Sequence, residues 1–254
     1  FGFILRRVNM RTVVIVDNVM PHERFPFSRA LAKYALSAAD YLIVQSEVSE
    51  IELRELLPTR ECYRVDHPQF AAQKKPDKAT AREKLGLNAT DKVILFFGYV
   101  RPYKGLEVLL HAMVFLDDVT LIVAGEFYEP RQHYENALSR LGPRVLLFDK
   151  YIQDSDVPIL FAAADALILP YTEISQSGVA KLAIAYKTPI IASCVGDLEH
   201  TVKNGLLVEP GSAYTLATAI DYLYRHDNLS AFAEDDGETF DDLAENITVI
   251  AENE

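Results

Sequence analysis

Short aliphatic and β-branched runs alternate along this chain with stretches whose apolar residues recur at helical spacing. The runs Thr12–Val16, Asp40–Ser46, Cys62–Val65, Val93–Gly98, Thr120–Ala124, Val145–Phe148, Ala166–Leu169, Pro189–Ala192 and Leu206–Val208 read as buried strands. Between them the spacing predicts helices over Arg29–Ala39, about Arg131–Leu141, Leu106–Leu116, Ser177–Lys187 and Ala213–Tyr224. Capping-box patterns at Ser49–Glu52 and Thr80–Glu83 open two more, which end before Pro58 and at Gly86. A further helix, capped by Asp154 or Ser155, runs to Ala164, and a short one passes through Glu199. Strands separated by helices imply right-handed βαβ units and a parallel sheet.

The regular alternation begins after a polar, basic, Pro-containing break at residues 69–79. We therefore divide the chain into residues 1–70, a doubly wound domain at 77–225, and an acidic tail with a closing helix at 226–254. Residues 1–68 hold too few strands for a complete second domain of this kind.

In a doubly wound sheet, ligands sit beyond the carboxyl ends of the strands. That edge collects the loops Arg101–Lys104, Gly125–Glu126, Lys150–Asp154, Tyr171–Gly178 and Cys194–Asp197. The loop before Ser177 opens a helix, where free N–H groups and the helix dipole favour an anion. Ser177 suits a cap, and Gly178 allows close approach to the backbone. The alternative is a capped helix with nothing bound. Arg101 and Lys104 add a planar fork and a mobile point charge that can grip phosphate oxygens without a metal. Taken singly, each is a solvated loop charge; with the Ser177 loop on the same edge they form a diphosphate clamp.

Charge and missing motifs narrow the chemistry. The formal charge is −12, yet ten acidic residues and no Lys or Arg lie between His226 and Glu254, so the body is nearly neutral. This disfavours nucleic acid as a partner. No Walker A run, dinucleotide-binding glycine pattern, nucleophile elbow or zinc spacing occurs, so no metal site is expected. Cys62 and Cys194 are far apart and expected to be buried and inert, as in a reducing, cytoplasmic protein. No apolar run is long enough to span a bilayer. His111, His133 and His226 are expected at the surface.

The run Phe96–Gly105 resembles the phosphate-binding loop of the group 1 (retaining, GT-B) glycosyltransferases. Tyr151-Ile152 with Asp154, Ala164-Asp165, Pro170-Tyr171, Gln176-Ser177-Gly178-Val179, Pro189–Ala192 and Gly205–Val208 continue the resemblance in the family's order. Asn18–Glu23 and Ala39–Ser46 resemble the last part of that family's N-terminal domain. The fold implied is α/β of the GT-B type: a complete C-terminal doubly wound domain plus the end of an N-terminal Rossmann-like domain.

The resemblance implies a metal-independent, retaining transfer of a sugar from a nucleotide diphosphate sugar to an acceptor hydroxyl, with that donor as substrate and no cofactor. Arg101 and Lys104 beside Gly98 would hold the diphosphate, and the amides of Ser177, Gly178 and Val179 the distal phosphate and sugar. Ile152 would meet the base through its backbone, and Gly125-Glu126 would border the base pocket. His22 or Glu23 would face the sugar. The acceptor would be a glycan, a lipid-linked molecule or a small molecule, with peripheral membrane contact through a missing N-terminal half as a further expectation. The chain departs from the family at one point. Many members carry two Glu residues with seven between them, and those positions are Ile174 and Leu182 here, in a sub-group pattern of Pro-Tyr and Gln-Ser-Gly-Val. Glu173 is the adjacent carboxylate that could replace the first, or it is a solvated loop residue. An epimerase of the same architecture and a non-catalytic nucleotide-sugar-binding module are the alternatives.

Overall fold

The computed structural model describes residues 11–20, 25–65, 72–174, 176–202 and 205–225. The acidic tail, His22, Glu23 and His226 lie outside the described residues. Two compact units emerge, one built on the residues up to 65, the other on 72–173 and 177–225.

In the smaller unit, β1 (Val13–Val16), β2 (Tyr41–Val44) and β3 (Tyr63–Arg64) form a parallel sheet in that order, with Val13 opposite Tyr41 and Ile43 opposite Tyr63. Helices α1 (Ser28–Ser37) and α2 (Glu47–Leu56) connect them. β2 is buried at every position, as a central strand covered on both faces must be. Val16, Leu42, Val44, Leu53 and Leu56 make the core. The Asp40 carboxylate fixes the start of β1 by accepting from the Thr12 N–H at 2.7 Å and its hydroxyl at 2.8 Å.

The larger unit is a six-stranded, all-parallel sheet in the order β6-β5-β4-β7-β8-β9. Its strands are β4 (Lys92–Phe97), β5 (Val119–Ala124), β6 (Val145–Phe148), β7 (Ala166–Leu169), β8 (Ile190–Ser193) and β9 (Leu206–Val208). Its helices are α3 (Lys78–Lys84), α4 (Leu106–Ala112), α5 (Glu135–Leu141), α6 (Val157–Ala163), α7 (Gly178–Ala185), α8 (Leu198–Thr201) and α9 (Ala213–Arg225). The doubly wound sheet expected from residue 77 onward is therefore present. β4, β5, β7 and β8 are mostly apolar, with Lys92, Thr120 and Ser193 the exceptions, because helices cover both faces.

Several boundaries differ from the sequence reading, each for a local reason. Both expected capping boxes begin one turn too late. Ser46, not Ser49, caps α2, its hydroxyl accepting from the Ser49 N–H at 3.1 Å. Asp77, not Thr80, caps α3, accepting from the Thr80 N–H at 2.9 Å. Ser49 and Thr80 supply the amide that is capped, so a serine or threonine followed by a Glu already lay inside the first turn. Asp156, rather than Asp154 or Ser155, precedes α6, and Pro158 sits in the first turn, where its missing N–H costs nothing. α4 ends at Ala112 and tightens into a 3₁₀ turn over Met113–Phe115. Arg131–His133 is likewise a 3₁₀ turn that precedes α5. Cys194 is exposed and Cys62 half-buried, against the expectation that both are buried. His111 and His133 are exposed, as expected.

One buried cluster ties the ends of this unit to its sheet. Asp165, just before β7, accepts from Lys78 Nζ at 2.6 Å and Arg82 Nη2 at 2.9 Å through one oxygen. Its other oxygen accepts from the Val93 N–H at 2.8 Å and the Tyr224 hydroxyl at 3.1 Å. Arg82 also donates to the Ala163 carbonyl at 3.0 Å. One carboxylate so joins α3, β4 and α9.

Candidate functional site

The connections from β4 and from β7 leave in opposite directions across the sheet, since β4 is followed by β5 on one side and β7 by β8 on the other. Such a switch point leaves a crevice at the carboxyl ends of the two strands. Gly98 follows β4 and Pro170-Tyr171 follows β7.

The loop after β4 is folded into that crevice by its own sequence. Pro102 starts a 3₁₀ turn ending at Lys104, and Gly105 follows with φ +67°. A Cβ on Gly105 would stand 1.9 Å from the Pro170 carbonyl oxygen, so only glycine lets the loop press against β7. The Thr172 N–H donates to the Tyr103 carbonyl at 2.8 Å and locks the contact. Lys104 is thereby turned inward and is only 8% exposed. Its Nζ lies 5.6 Å from the centre of the Tyr171 ring, and a Cβ on Gly98 would come within 2.9 Å of it. Burial first, and the nearby Arg101 charge second, push its pKa down to about 8. Among the described residues, no carboxylate lies within ion-pair distance of it.

The strand-to-helix turn after β7 supplies donors. Ser177 caps α7 by accepting from the Ala180 N–H at 3.2 Å. The N–H groups of Gly178 and Val179 make no hydrogen bond within the protein. Tyr171, 1% exposed, has a hydroxyl without a well-formed hydrogen bond, the Ser177 side chain being close enough to act on it, and burial raises its pKa. An ammonium and two free amides thus gather at one switch point, with the buried Tyr171 ring beneath the ammonium. That set is suited to an anion.

A cavity of about 530 Å³ opens from this point. One wall is α7, which presents Val179, Leu182 and Tyr186 at spacings that share a helix face. The opposite wall is the row of loops after β4, β5 and β6, with Gly98, Tyr99, Gly125, Glu126, Tyr151, Ile152 and Asp154. Neither the N–H nor the C=O of Ile152 is used within the protein, although the side chain is buried.

Of the residues expected from sequence, the structure brings Gly98, Lys104, Gly125, Glu126, Ile152 and Val179 onto this one cavity, with Ser177 and Gly178 at the helix start beside Val179. It leaves Arg101 off the wall, with the guanidinium 4.7 Å from the Tyr128 ring centre. Glu173 is exposed and lines no part of this cavity. Leu182, at the second position of the family's Glu pair, does line it and offers no acceptor. Sequence reasoning missed Gln73, Tyr186 and the role of Tyr171. The i, i+3, i+7 spacing of Val179, Leu182 and Tyr186 was a readable sign of a shared face; nothing in sequence marked Gln73, which lies in the interdomain break. No group of His, Cys, Asp and Glu among the described residues is placed to hold a metal. No described helix is long and apolar enough to cross a membrane.

Comparison with known proteins agrees with this geometry. D-inositol 3-phosphate glycosyltransferase of Mycobacterium tuberculosis is 32% identical over 157 residues, which are 59% of this chain and 33% of that protein. The chain thus matches about a third of the length of its curated relatives. The fold is shared by sucrose-phosphate synthase from Thermosynechococcus elongatus (TM-score 0.86, 24% identity, 99% of this chain and 70% of that one). It is also shared by Anabaena Alr3699/HepE, crystallised with UDP and glucose (TM-score 0.85, 19% identity, 98% of this chain and 73% of that one). The family model for glycosyl transferases group 1 matches residues 91–226, more than half of the chain, including the six-stranded sheet, the loop after β4 and all of the cavity's lining residues but Gln73, and the chain belongs to that family.

Proposed function

We propose that the larger unit binds a nucleotide diphosphate sugar and that the protein transfers the sugar to an acceptor hydroxyl with retention, without a metal. The observation that carries this reading is Lys104. A buried ammonium with no carboxylate partner among the described residues borders the same cavity as the free helix-start amides of α7, and an anion is what satisfies both. The leaving group of glycosyl transfer is a nucleoside diphosphate, so fixed donors aimed at its growing charge lower the barrier without reorganising. Arg101, stacked on Tyr128 at the loop's outer side, adds long-range positive potential rather than direct grip. The relatives' printed activities and the UDP seen in HepE accord with a nucleotide-sugar donor.

Calorimetric titration of the chain with UDP, GDP and ADP tests the reading. At least one should bind, and Lys104→Ala should weaken it by about a hundredfold, the range for losing a charge-assisted partner. Arg101→Ala should cost less, about threefold to tenfold. Unaltered affinity in Lys104→Ala would sink the diphosphate site.

A specific observation favours a second reading, the non-catalytic binding module. Leu182 stands on the cavity wall where a hydrogen-bonding carboxylate is expected, and Glu173 is exposed. Donor binding with neither transfer nor release of sugar, measured on a protein that includes the acceptor-side domain, would support the module over the transferase.

A further inference from the structure

Lys104 is held at the cavity by something other than a carboxylate. Two groups act on its ammonium: Arg101 from its own turn, which repels it, and the Tyr171 ring after β7, whose centre lies 5.6 Å from Nζ. Glu126 and Asp154 line the same cavity, and neither pairs with it. A paired carboxylate would take up the N–H donors and cancel the charge that an incoming anion needs. The face of an aromatic ring attracts the charge through its quadrupole and occupies no N–H donor. Such a contact fixes the ammonium and leaves it available.

Tyr171 is itself tightly fixed. Pro170 before it lies so close to Gly105 that a Cβ there would stand 1.9 Å from the Pro170 carbonyl oxygen. Thr172 after it donates its N–H to the Tyr103 carbonyl at 2.8 Å. The Tyr103 ring stands edge-on to the Tyr171 ring, with centroids 6.1 Å apart and planes at 77°. Both chain neighbours of Tyr171 are thus bound to the turn that carries Lys104, so ring and ammonium keep one register. The hydroxyl end lies near Ser177, the cap of α7, yet forms no well-made hydrogen bond. A buried hydroxyl left in that state costs stability, so the hydroxyl does not account for a tyrosine here, whereas the ring does.

Resting on the donor-site reading above, we propose that Tyr171 is a positioning residue for that site: its ring face holds the Lys104 ammonium, charged and without a carboxylate, at the cavity it shares with the free amides of α7. Tyr171 touches Lys104 and not the reacting atoms, and no bond is made or broken. The alternative is packing alone, in which any apolar side chain of similar volume would serve. The two differ in pH dependence. A ring that attracts the ammonium favours its charged form against burial and against Arg101. Replacing that ring with an aliphatic side chain lowers the pH at which Lys104 gives up its proton. A loss of packing alone weakens binding equally at every pH.

The test is calorimetric titration of the 254-residue chain with UDP, GDP and ADP, following whichever the unmodified chain binds most tightly. Tyr171→Leu should weaken binding by about threefold at pH 7 and about tenfold at pH 9, because its lysine loses the proton about half a pH unit or more earlier. Tyr171→Phe, which keeps the ring, should recover most of that loss at both pH values. Leu also leaves a void, so pentafluorophenylalanine placed at Tyr171 is the second variant. It keeps the shape of the ring and removes the negative potential of its face. Its loss should likewise grow from pH 7 to pH 9. A loss of equal size at both pH values in the Leu and pentafluorophenylalanine variants would mean packing and overturn the inference. Tyr171→Phe losing as much as Tyr171→Leu would assign the effect to the hydroxyl and overturn it too. If Lys104→Ala weakens binding while the Tyr171 variants leave it as it was, this inference fails alone. If no nucleotide binds the unmodified chain, or Lys104→Ala leaves the affinity unaltered, the donor site falls and the inference with it.

Discussion

At pH 7 the Lys104 ammonium is charged although little of the side chain reaches water, and its pKa of about 8 lies below the 10.5 of a free lysine. Burial penalises the charged form, and the Tyr171 ring recovers only part of the lost hydration. The sign of the pH effect follows. Below about pH 8 both folded and unfolded chains hold the proton, and the full penalty weighs on the folded state. Between about 8 and 10.5 the unfolded chain binds more protons, so folding stability rises with pH across that window. Lys104→Met should therefore stabilise the protein at pH 7 by roughly 2–3 kcal/mol while weakening diphosphate binding by about a hundredfold, as read by urea unfolding and calorimetry. Nucleotide binding runs the other way. On the proposed diphosphate site it needs the charged lysine, so affinity should fall by about tenfold for each pH unit above 8, and binding at pH 9 should take up a proton. A pH-independent affinity between 7 and 9.5 would show that Lys104 is not the anchor.

Among the elements, the loops that build the site depend on glycines that strands and helices would not tolerate. Gly105→Ala drives a Cβ into the Pro170 carbonyl at a positive φ, and should cost about 2 kcal/mol or more by loosening the Lys104 turn from β7. Ser46→Ala removes the cap of α2 and should cost about 1 kcal/mol in urea unfolding. These positions also show what was legible in the chain itself. Strands β4, β5, β7 and β8 were readable because burial on both faces leaves short, nearly continuous apolar runs, and the edge strands β6 and β9 because they are short and wholly apolar. Helix starts were less so: Ser46 and Ser49, like Asp77 and Thr80, are three residues apart, and either member can cap or be capped. Which one does depends on where the preceding strand ends. Lys104 was legible as a candidate from its loop, whereas its burial against Tyr171 was not, since that contact joins residues far apart in sequence. Arg101 was read as its equal because nothing in sequence foretold Tyr128 as a stacking partner.

For the larger unit as a whole, Asp165 is the residue on which most elements converge. Its two oxygens accept four hydrogen bonds, from α3, the start of β4 and α9. Arg82 among these donors is 3% exposed, so its charge depends on Asp165 for compensation. Lys78 is half-exposed and can turn to water, so its pair with Asp165 contributes little. Removing the carboxylate strands the buried guanidinium and leaves the Val93 N–H and the Tyr224 hydroxyl without an acceptor. Asp165→Ala should therefore destabilise this unit by about 3–5 kcal/mol. The loss should be mostly that of an orphaned charge rather than of the pair itself. A double variant, Arg82→Met with Asp165→Leu, removes both charges and should recover a large part of it. Urea unfolding of the single and double variants measures the difference. A double variant no more stable than Asp165→Ala alone would mean that the four hydrogen bonds, and not the uncompensated Arg82 charge, carry the attachment of α3 and α9 to the sheet that positions the Lys104 loop.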